Sequence, residues 1–300
     1  MTTNPQSCVI AIDAGTTGVR SRAVFPGDIG RTVAHYQEFT QHFPEPGWVE
    51  HDALEIWEAV RTTLLAVIQE VGTPTAIGIT NQRETVVAWN RRTGMPYGNA
   101  IVWQDRRTAA TCDQLAADGH LPQVRDITGL VLDPYFSGTK AAWMLQHRDI
   151  PIDDDLAIGT IDTWLLWHLT GGDVFATDPS NASRTMLFDI RTLAWSTEMC
   201  DLLHVPIDAL PEVKPSSGRF GVTADTCGVP AGIPISGIAG DQQAALFGQA
   251  CFRPGMAKNT YGTGCFMLLH TGDKVIRSQS GLISTSCAQT ASSTARAPSG

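Results

Sequence analysis

Apolar positions along the chain recur with two different periods. Residues 8–14 form a short apolar run that breaks at Gly15-Thr16-Thr17-Gly18 and resumes over 19–25, which predicts a strand, a tight turn and a returning strand. Residues 31–41 predict a third strand. A loop rich in proline and glycine, Phe43-Pro44-Glu45-Pro46-Gly47-Trp48, then leads to the clearest helical spacing. There Ala53, Ile56, Trp57, Val60, Leu64, Val67 and Ile68 fall three and four apart, with Asp52 as N-cap and Gly72 as the stop. Strand-like runs follow at 75–80, 85–89 and 100–103, with the turn signal Asn90–Gly94 between the last two. Helical runs lie at 106–117, 138–146 and 162–169. Near the end, the buried-type strand 233–238 passes through Gly240-Asp241 into a helical run over 242–249. Strands interleaved with helices predict an α/β layered fold, and no internal repeat is visible.

Composition narrows the function classes. The 300 residues are 43% hydrophobic, which suits a soluble globular chain of one large or two modest domains. A net charge of −9 without any long basic run argues against nucleic acid and anionic membrane surfaces. The N-terminus lacks a signal-type segment and no window approaches a membrane span, so no membrane insertion is expected. The 7 cysteines are scattered without C-x-x-C spacing and read as reduced thiols, making a cytoplasmic location the expectation. After Ile283 apolar bulk disappears, and residues 288–300 are expected to form a disordered tail.

Chemistry concentrates in a few places. Asp241 sits at a strand–helix seam, where open α/β folds bind ligands; it reads either as a general base or as a plain helix cap. Asp13-Ala14-Gly15-Thr16-Thr17-Gly18-Val19-Arg20 follows a strand and offers successive N–H groups and hydroxyls to phosphate, or makes an ordinary hairpin. Arg83 and Glu84 place a donor fork beside an acceptor pair, which suits vicinal hydroxyls, although a solvated ion pair reads the same. Trp103 and Tyr135 can wall a polyol's carbon face, or simply pack. Gly262-Thr263-Gly264 makes a second tight turn, suited to phosphate or to a bare hairpin.

Taken together these stretches resemble the FGGY carbohydrate kinase family, and within it the members that act on glycerol. The resemblance covers nearly all of residues 8–287. It runs through P-G-W-V-E-H-D at 46–52, G-I-T-N-Q-R-E-T at 78–85, N-A-I-V-W-Q-D-R-R-T at 99–108 and T-G-L-V-L-D-P-Y-F-S-G-T-K at 128–140. It continues through D-P-S-N-A-S-R-T-M-L-F at 178–188, G-I-A-G-D-Q-Q-A-A-L-F-G-Q at 237–249 and G-M-A-K-N-T-Y-G-T-G-C-F-M-L at 255–268. The resemblance implies an actin-like, RNase H-like ATPase lobe, a mixed sheet flanked by helices. It implies transfer of a phosphoryl group from ATP to glycerol, giving sn-glycerol 3-phosphate. Arg83, Glu84, Trp103, Tyr135, Asp241, Gln242 and Phe266 match the glycerol pocket, with Asp241 as the base. Asp13 matches the acid that organises Mg²⁺, and Thr16, Thr17, Gly18, Arg20 and Thr263 match the nucleotide phosphate contacts. A homo-oligomer is compatible with the family.

The chain also departs from the family pattern. Residues 1–249 read as a complete first lobe and 250–287 as the start of a second, which then stops; a frameshift or premature stop would explain this. Weak or absent turnover and exposed apolar surface are therefore expected of these residues alone. The first turn has T-T-G-V-R where serines usually follow the threonines, and 222–232 lacks the glycine–lysine loop that binds fructose 1,6-bisphosphate in some relatives. Two other readings stand at this level: a glycerol-binding protein without catalysis, and a kinase for a related sugar such as xylulose or gluconate. Arg83 and Glu84 together with the bulky Trp103 and Phe266 favour the three-carbon polyol over the sugar.

Overall fold

The computed structural model describes residues 7–28, 30–262 and 264–289. The predicted hairpin forms as β1 (Val9–Ala14) and β2 (Gly18–Val24), and the Gly15 N–H closes the turn on the Gly18 carbonyl at 3.0 Å. β3 (Val33–Glu38) is shorter than its predicted span. The chain leaves the sheet at Thr40, whose N–H goes to the Glu55 carboxylate at 3.0 Å. Helix α1 (Ala53–Val71) begins as predicted: Asp52 accepts from the Leu54 and Glu55 N–H groups at 2.8 and 3.4 Å. It ends at Gly72, whose φ of 81° suits only glycine comfortably.

The elements that follow are β4 (Ala76–Asn81), β5 (Val86–Asn90), α2 (Ala109–Ala117), α3 (Leu121–Thr128), α4 (Ser137–His147), β6 (Leu156–Thr160) and α5 (Ile161–Leu169). After them come β7 (Ser217–Val222), β8 (Pro234–Gly240), α6 (Asp241–Gly248), β9 (Ala257–Tyr261) and β10 (Cys265–Leu269). Helix α2 starts three residues later than the pattern suggested. Asp105 holds the Arg107 N–H and guanidinium, and Arg107 also reaches Glu50 at 2.8 Å, so that stretch serves as a buried ion-pair turn. Nothing in the apolar spacing announced the short helix α3.

The main sheet has six strands in the order β7-β8-β4-β1-β2-β3. β8, β4 and β1 run parallel, and the outer pairings are antiparallel. Along β1 and β2 one face is buried through Ile10, Ile12, Ala14, Val19, Ser21 and Ala23, packed under α1 and α5. The opposite face carries the exposed Asp13, Arg20 and Arg22. A smaller antiparallel sheet joins Glu50–His51, Ala100–Ile101, β5 and β6, and a second apolar cluster packs α4 against it through Ala141 and Met144. This is the mixed sheet with flanking helices that the resemblance implied.

The hairpin β9–β10 pairs only with itself within the described residues and leans on α6. It leaves Tyr261, Met267 and Leu269 more than half exposed, beside Phe247 and Phe252. Of the tail expected over 288–300, residues 288 and 289 are described. Residues 284–289 are held through their backbone rather than by apolar burial: Ser284 N–H bonds to Gly129, and Ser286 N–H to Ser183. Gln289 bonds to both Ser216 and Ser217 at 2.9 Å. Residues 290–300 lie outside the described residues. No described helix is long and apolar enough to cross a membrane.

Candidate active site

Strand register brings the three central parallel strands to a common edge. Ala14 at the end of β1 is level with Asn81 at the end of β4, and Asn81 is level with Gly240 at the end of β8. Each strand is followed at once by a chemistry-bearing stretch: Gly15-Thr16-Thr17, Gln82-Arg83-Glu84 and Asp241. The carboxyl edge of parallel strands is where such sheets bind ligands. Residues far apart in sequence therefore converge because three strands end together.

Arg83 is the hub. Its side chain is 3% exposed, with Nη1 3.2 Å from Gln243 Oε1, Nη2 3.3 Å from the Tyr135 hydroxyl and 3.7 Å from Glu84, and Nε 3.2 Å from Asp241 Oδ1. That last contact is an ion pair without a hydrogen bond, since the N–H of Nε is not aimed at the oxygen. Burial opposes the Arg83 charge, but Glu84, Tyr135 and Asp241 outweigh it and hold the pKa above its ordinary value. Three aromatic rings close the space. Trp103 stands edge-on to Tyr135 at 5.6 Å and to Phe266 at 6.2 Å, and Arg83 lies 5.8 Å over Phe266. Burial pushes the Tyr135 phenol up to about 12, so it stays a hydrogen-bonding hydroxyl. The seven residues matched to a polyol pocket thus form one cluster.

Asp241 opens α6 but does not cap it; the cap position is Gly240, and the Asp241 carboxylate instead accepts from its neighbour's N–H (Gln242) at 2.7 Å. Gln242 Nε2 holds the other oxygen at 3.1 Å. With 38% of its side chain exposed, Asp241 is open to solvent on one side. Burial raises its carboxyl above the ordinary range; Arg83 pulls it down and Glu84 pushes it up. Gly240 leaves room beneath: a Cβ there would meet Arg83 Cδ at 2.6 Å.

The threonine turn joins this cluster. Trp103 Nε1 donates to Thr16 Oγ1 at 3.0 Å, and Thr17 Oγ1 lies 3.2 Å from the Tyr36 hydroxyl. Gly18 can carry no side chain, because a Cβ would sit 2.5 Å from the Gln37 carbonyl. On the open sheet face Asp13 pairs in register with Arg20, which lies 5.4 Å over Tyr36. Although Asp13 is exposed, the protein around it raises its pKa, with the Asp241 charge the next contribution and Arg20 opposing. Asp13 and Asp241 therefore feel each other across the cleft. Thr263 lies outside the described residues; Gly262 N–H reaches the Gly264 carbonyl at 3.1 Å on either side of it.

Three buried positions that support the cluster escaped the sequence pattern: Arg184, Lys258 and His51. Arg184 Nε donates to Glu84 Oε1 at 2.6 Å, a tighter partner than the adjacent Arg83. Glu84 itself has φ 61°, a strained conformation for a glutamate and characteristic of ligand-facing backbone. Lys258, 3% exposed, binds Gln242 Oε1 and Thr260 Oγ1, which turns the Gln242 amide N–H toward Asp241. His51 is buried, with its pKa lowered to about 3 by burial, and bridges Gln41 and Gln82 at 2.7 and 3.3 Å. Those two amides bond the carbonyls of Thr16 and Gly15, which holds the turn in shape from behind. In sequence, buried charges look like surface ones; only their placement inside apolar motifs hinted otherwise.

The model of the FGGY family of carbohydrate kinases, N-terminal domain, matches residues 8–248. The chain belongs to that family. Among curated members of the FGGY family, the chain is 54% identical over 294 residues to glycerol kinase from Ralstonia nicotianae, covering 95% of this chain and 58% of the relative. It is likewise 54% identical over 286 residues to glycerol kinase from Geobacillus kaustophilus, covering 92% and 57%. The chain thus spans under two thirds of these relatives. A crystal structure of Plasmodium falciparum glycerol kinase with ADP superposes with a TM-score of 0.90 at 36% identity, over 95% of this chain and 58% of that one. A xylulose kinase from Lactobacillus acidophilus matches with a TM-score of 0.78 at 20% identity, over 87% and 54%; this likeness is one of fold.

Proposed function

We propose that the chain is the substrate-binding lobe of an ATP-dependent glycerol kinase, with residues 1–249 as that lobe and 250–287 as the start of the second. One observation supports the reading: Arg83 links Tyr135 and Asp241, and the rings of Trp103, Tyr135 and Phe266 stand edge-on beside it. The glycerol kinases it is similar to support the choice of substrate.

In this reading Arg83 and Glu84 hold two hydroxyls of glycerol while the aromatic rings cover its carbon face. Asp241 takes the proton of the remaining primary hydroxyl as that oxygen attacks the terminal phosphorus of ATP. Its raised pKa makes it a better base than an exposed aspartate, and Gln242 keeps its oxygens aimed. The Thr16-Thr17-Gly18 turn and Arg20 receive phosphate oxygens. Asp13 fits Mg²⁺, because it is an exposed carboxylate whose repulsion from Asp241 a divalent cation would relieve. Such an ion would neutralise phosphate charge. Alignment and charge neutralisation are the main needs of phosphoryl transfer.

Calorimetric titration of the chain with glycerol, xylulose and gluconate, beside a coupled assay for ADP release, tests the proposal. Saturable glycerol binding in preference to both sugars is the expected result. Preference for either sugar would move the chain to another member of the family, and no binding to any of them would remove the polyol reading altogether.

A further inference from the structure

Lys140 on α4 is fully buried, at 0% exposure, and its Nζ donates to two neutral groups: the carbonyls of Pro134 at 3.1 Å and Tyr135 at 2.7 Å. Burying an ammonium against neutral acceptors opposes folding, and a methionine would fill the same space without that cost. Burial brings its pKa down to about 7 even with Glu84, Asp105 and Asp133 favouring the charge. An unfavourable group retained at 0% exposure calls for a task, and the geometry supplies one.

The two carbonyls belong to the loop that presents Tyr135. Asp133 Oδ1 accepts the Tyr135 N–H at 2.8 Å, so Lys140 and Asp133 fix the backbone of Tyr135 on both sides. The phenol then emerges 3.3 Å from Arg83 Nη2, and the ring stands edge-on to Trp103. One turn earlier on α4, Ser137 Oγ donates to the Glu84 carbonyl at 3.0 Å, where the backbone has its strained φ. The first turn of α4 therefore anchors two parts of the polyol site.

We propose that Lys140 is a positioning residue for the polyol site: by holding the Pro134 and Tyr135 carbonyls it sets the direction of the Tyr135 ring, and with it the reach of the phenol to Arg83 and the edge-on contact with Trp103. The choice of ligand rests on the glycerol reading above; the placement of Tyr135 does not.

The chain has 4 tyrosines, so 3-fluorotyrosine labelling yields a simple ¹⁹F spectrum in which Tyr135→Phe assigns the informative resonance. In Lys140→Met the Tyr135 resonance is expected to shift or broaden while those of Tyr36, Tyr97 and Tyr261 stay. The thermal midpoint is expected to hold or rise, and glycerol affinity to fall about tenfold, the scale of a lost polar contact. In a Tyr135→Ala background the same substitution should cause no further loss. An unmoved Tyr135 resonance overturns the proposal. So does a lowered midpoint with all four resonances displaced, which would make Lys140 an ordinary core residue. An additive loss in the Tyr135→Ala background overturns it too. Should Lys140→Met not fold, Lys140→Gln is read by the same criteria. If the unsubstituted chain fails to bind glycerol, the glycerol reading falls, and the fluorine spectra alone decide the role of Lys140.

Discussion

The carboxylate of Asp241 lies 3.2 Å from Nε of Arg83, close enough to feel its charge yet without a hydrogen bond from it. An oxygen held this way keeps a lone pair for a substrate proton. Asp241→Asn preserves shape and removes the carboxylate proposed as the base. Glycerol affinity is expected to stay within about threefold, while phosphorylation falls by about 10²–10⁴, the range of a positioned general base. Calorimetry and a coupled assay on the same preparations check both. Parallel loss of binding and turnover would instead make Asp241 a wall of the pocket.

How much of this was readable beforehand depends on whether the determining contacts are local. Helix α1 was legible because its cap Asp52, its apolar stripe and its stop Gly72 all lie within one stretch of sequence. The hairpin at 8–25 was legible for the same reason. The meeting of Ala14, Asn81 and Gly240 was not, because strand order is set by packing across the whole sheet. The motifs carried Arg83, Tyr135 and Asp241 but not the groups behind them. Arg184 reaches Glu84 across a hundred residues, and Lys258 reaches Gln242 from a different element. The late start of α2 reflects Asp105, whose carboxylate competes for the N–H groups a helix would have used.

Acid sensitivity has an identifiable source in His168. It stacks on Trp57 at 4.9 Å and meets Trp164 edge-on at 4.0 Å, and burial lowers its pKa from 6.5 to about 4. Between those values the unfolded chain binds the proton and the folded chain does not, so stability falls as pH drops through that window. Asp162 acts with the opposite sign: burial raises it to about 7, so its contribution is lost as pH rises. A difference measurement separates the two. The midpoint of His168→Phe minus that of the unsubstituted chain is expected to rise steadily from pH 6.5 towards pH 4. A flat difference would mean the imidazole is charged in the fold.

Gly240→Ala tests whether the room under Arg83 is needed. The glycine's φ of −58° suits any residue, so the effect is steric: the new Cβ would lie 2.6 and 2.7 Å from Arg83 Cδ and Cγ. Ser180 Oγ holds the Gly240 N–H at 2.9 Å, which resists a backbone retreat. Overpacking of this kind costs about 1–3 kcal/mol, and the displaced guanidinium should weaken glycerol binding about tenfold. Gly218→Ala, with nothing within 4 Å of its Cβ, is the control, expected to stay within about 0.5 kcal/mol in urea unfolding. Equal effects at both sites would count against a steric role for Gly240.

The pairing of Arg184 with Glu84 can be tested for what it contributes to the fold. Both side chains are nearly inaccessible, at 4% and 2%, and Arg184 Nε meets Glu84 Oε1 at 2.6 Å. Arg184 also covers the Tyr135 and Phe136 rings at 5.6 and 5.1 Å. Removing one partner of a buried pair costs about 3–5 kcal/mol because the other charge is left without compensation. Arg83 stays 3.7 Å from Glu84, so Arg184→Met should fall near the lower end, about 3 kcal/mol in urea unfolding. Glu84→Gln removes the acceptor charge that Arg184 was compensating, so the double variant should lose clearly less than the two single losses summed. Strict additivity would mean that Arg83 alone neutralises Glu84 and that Arg184 serves mainly as packing beneath the rings.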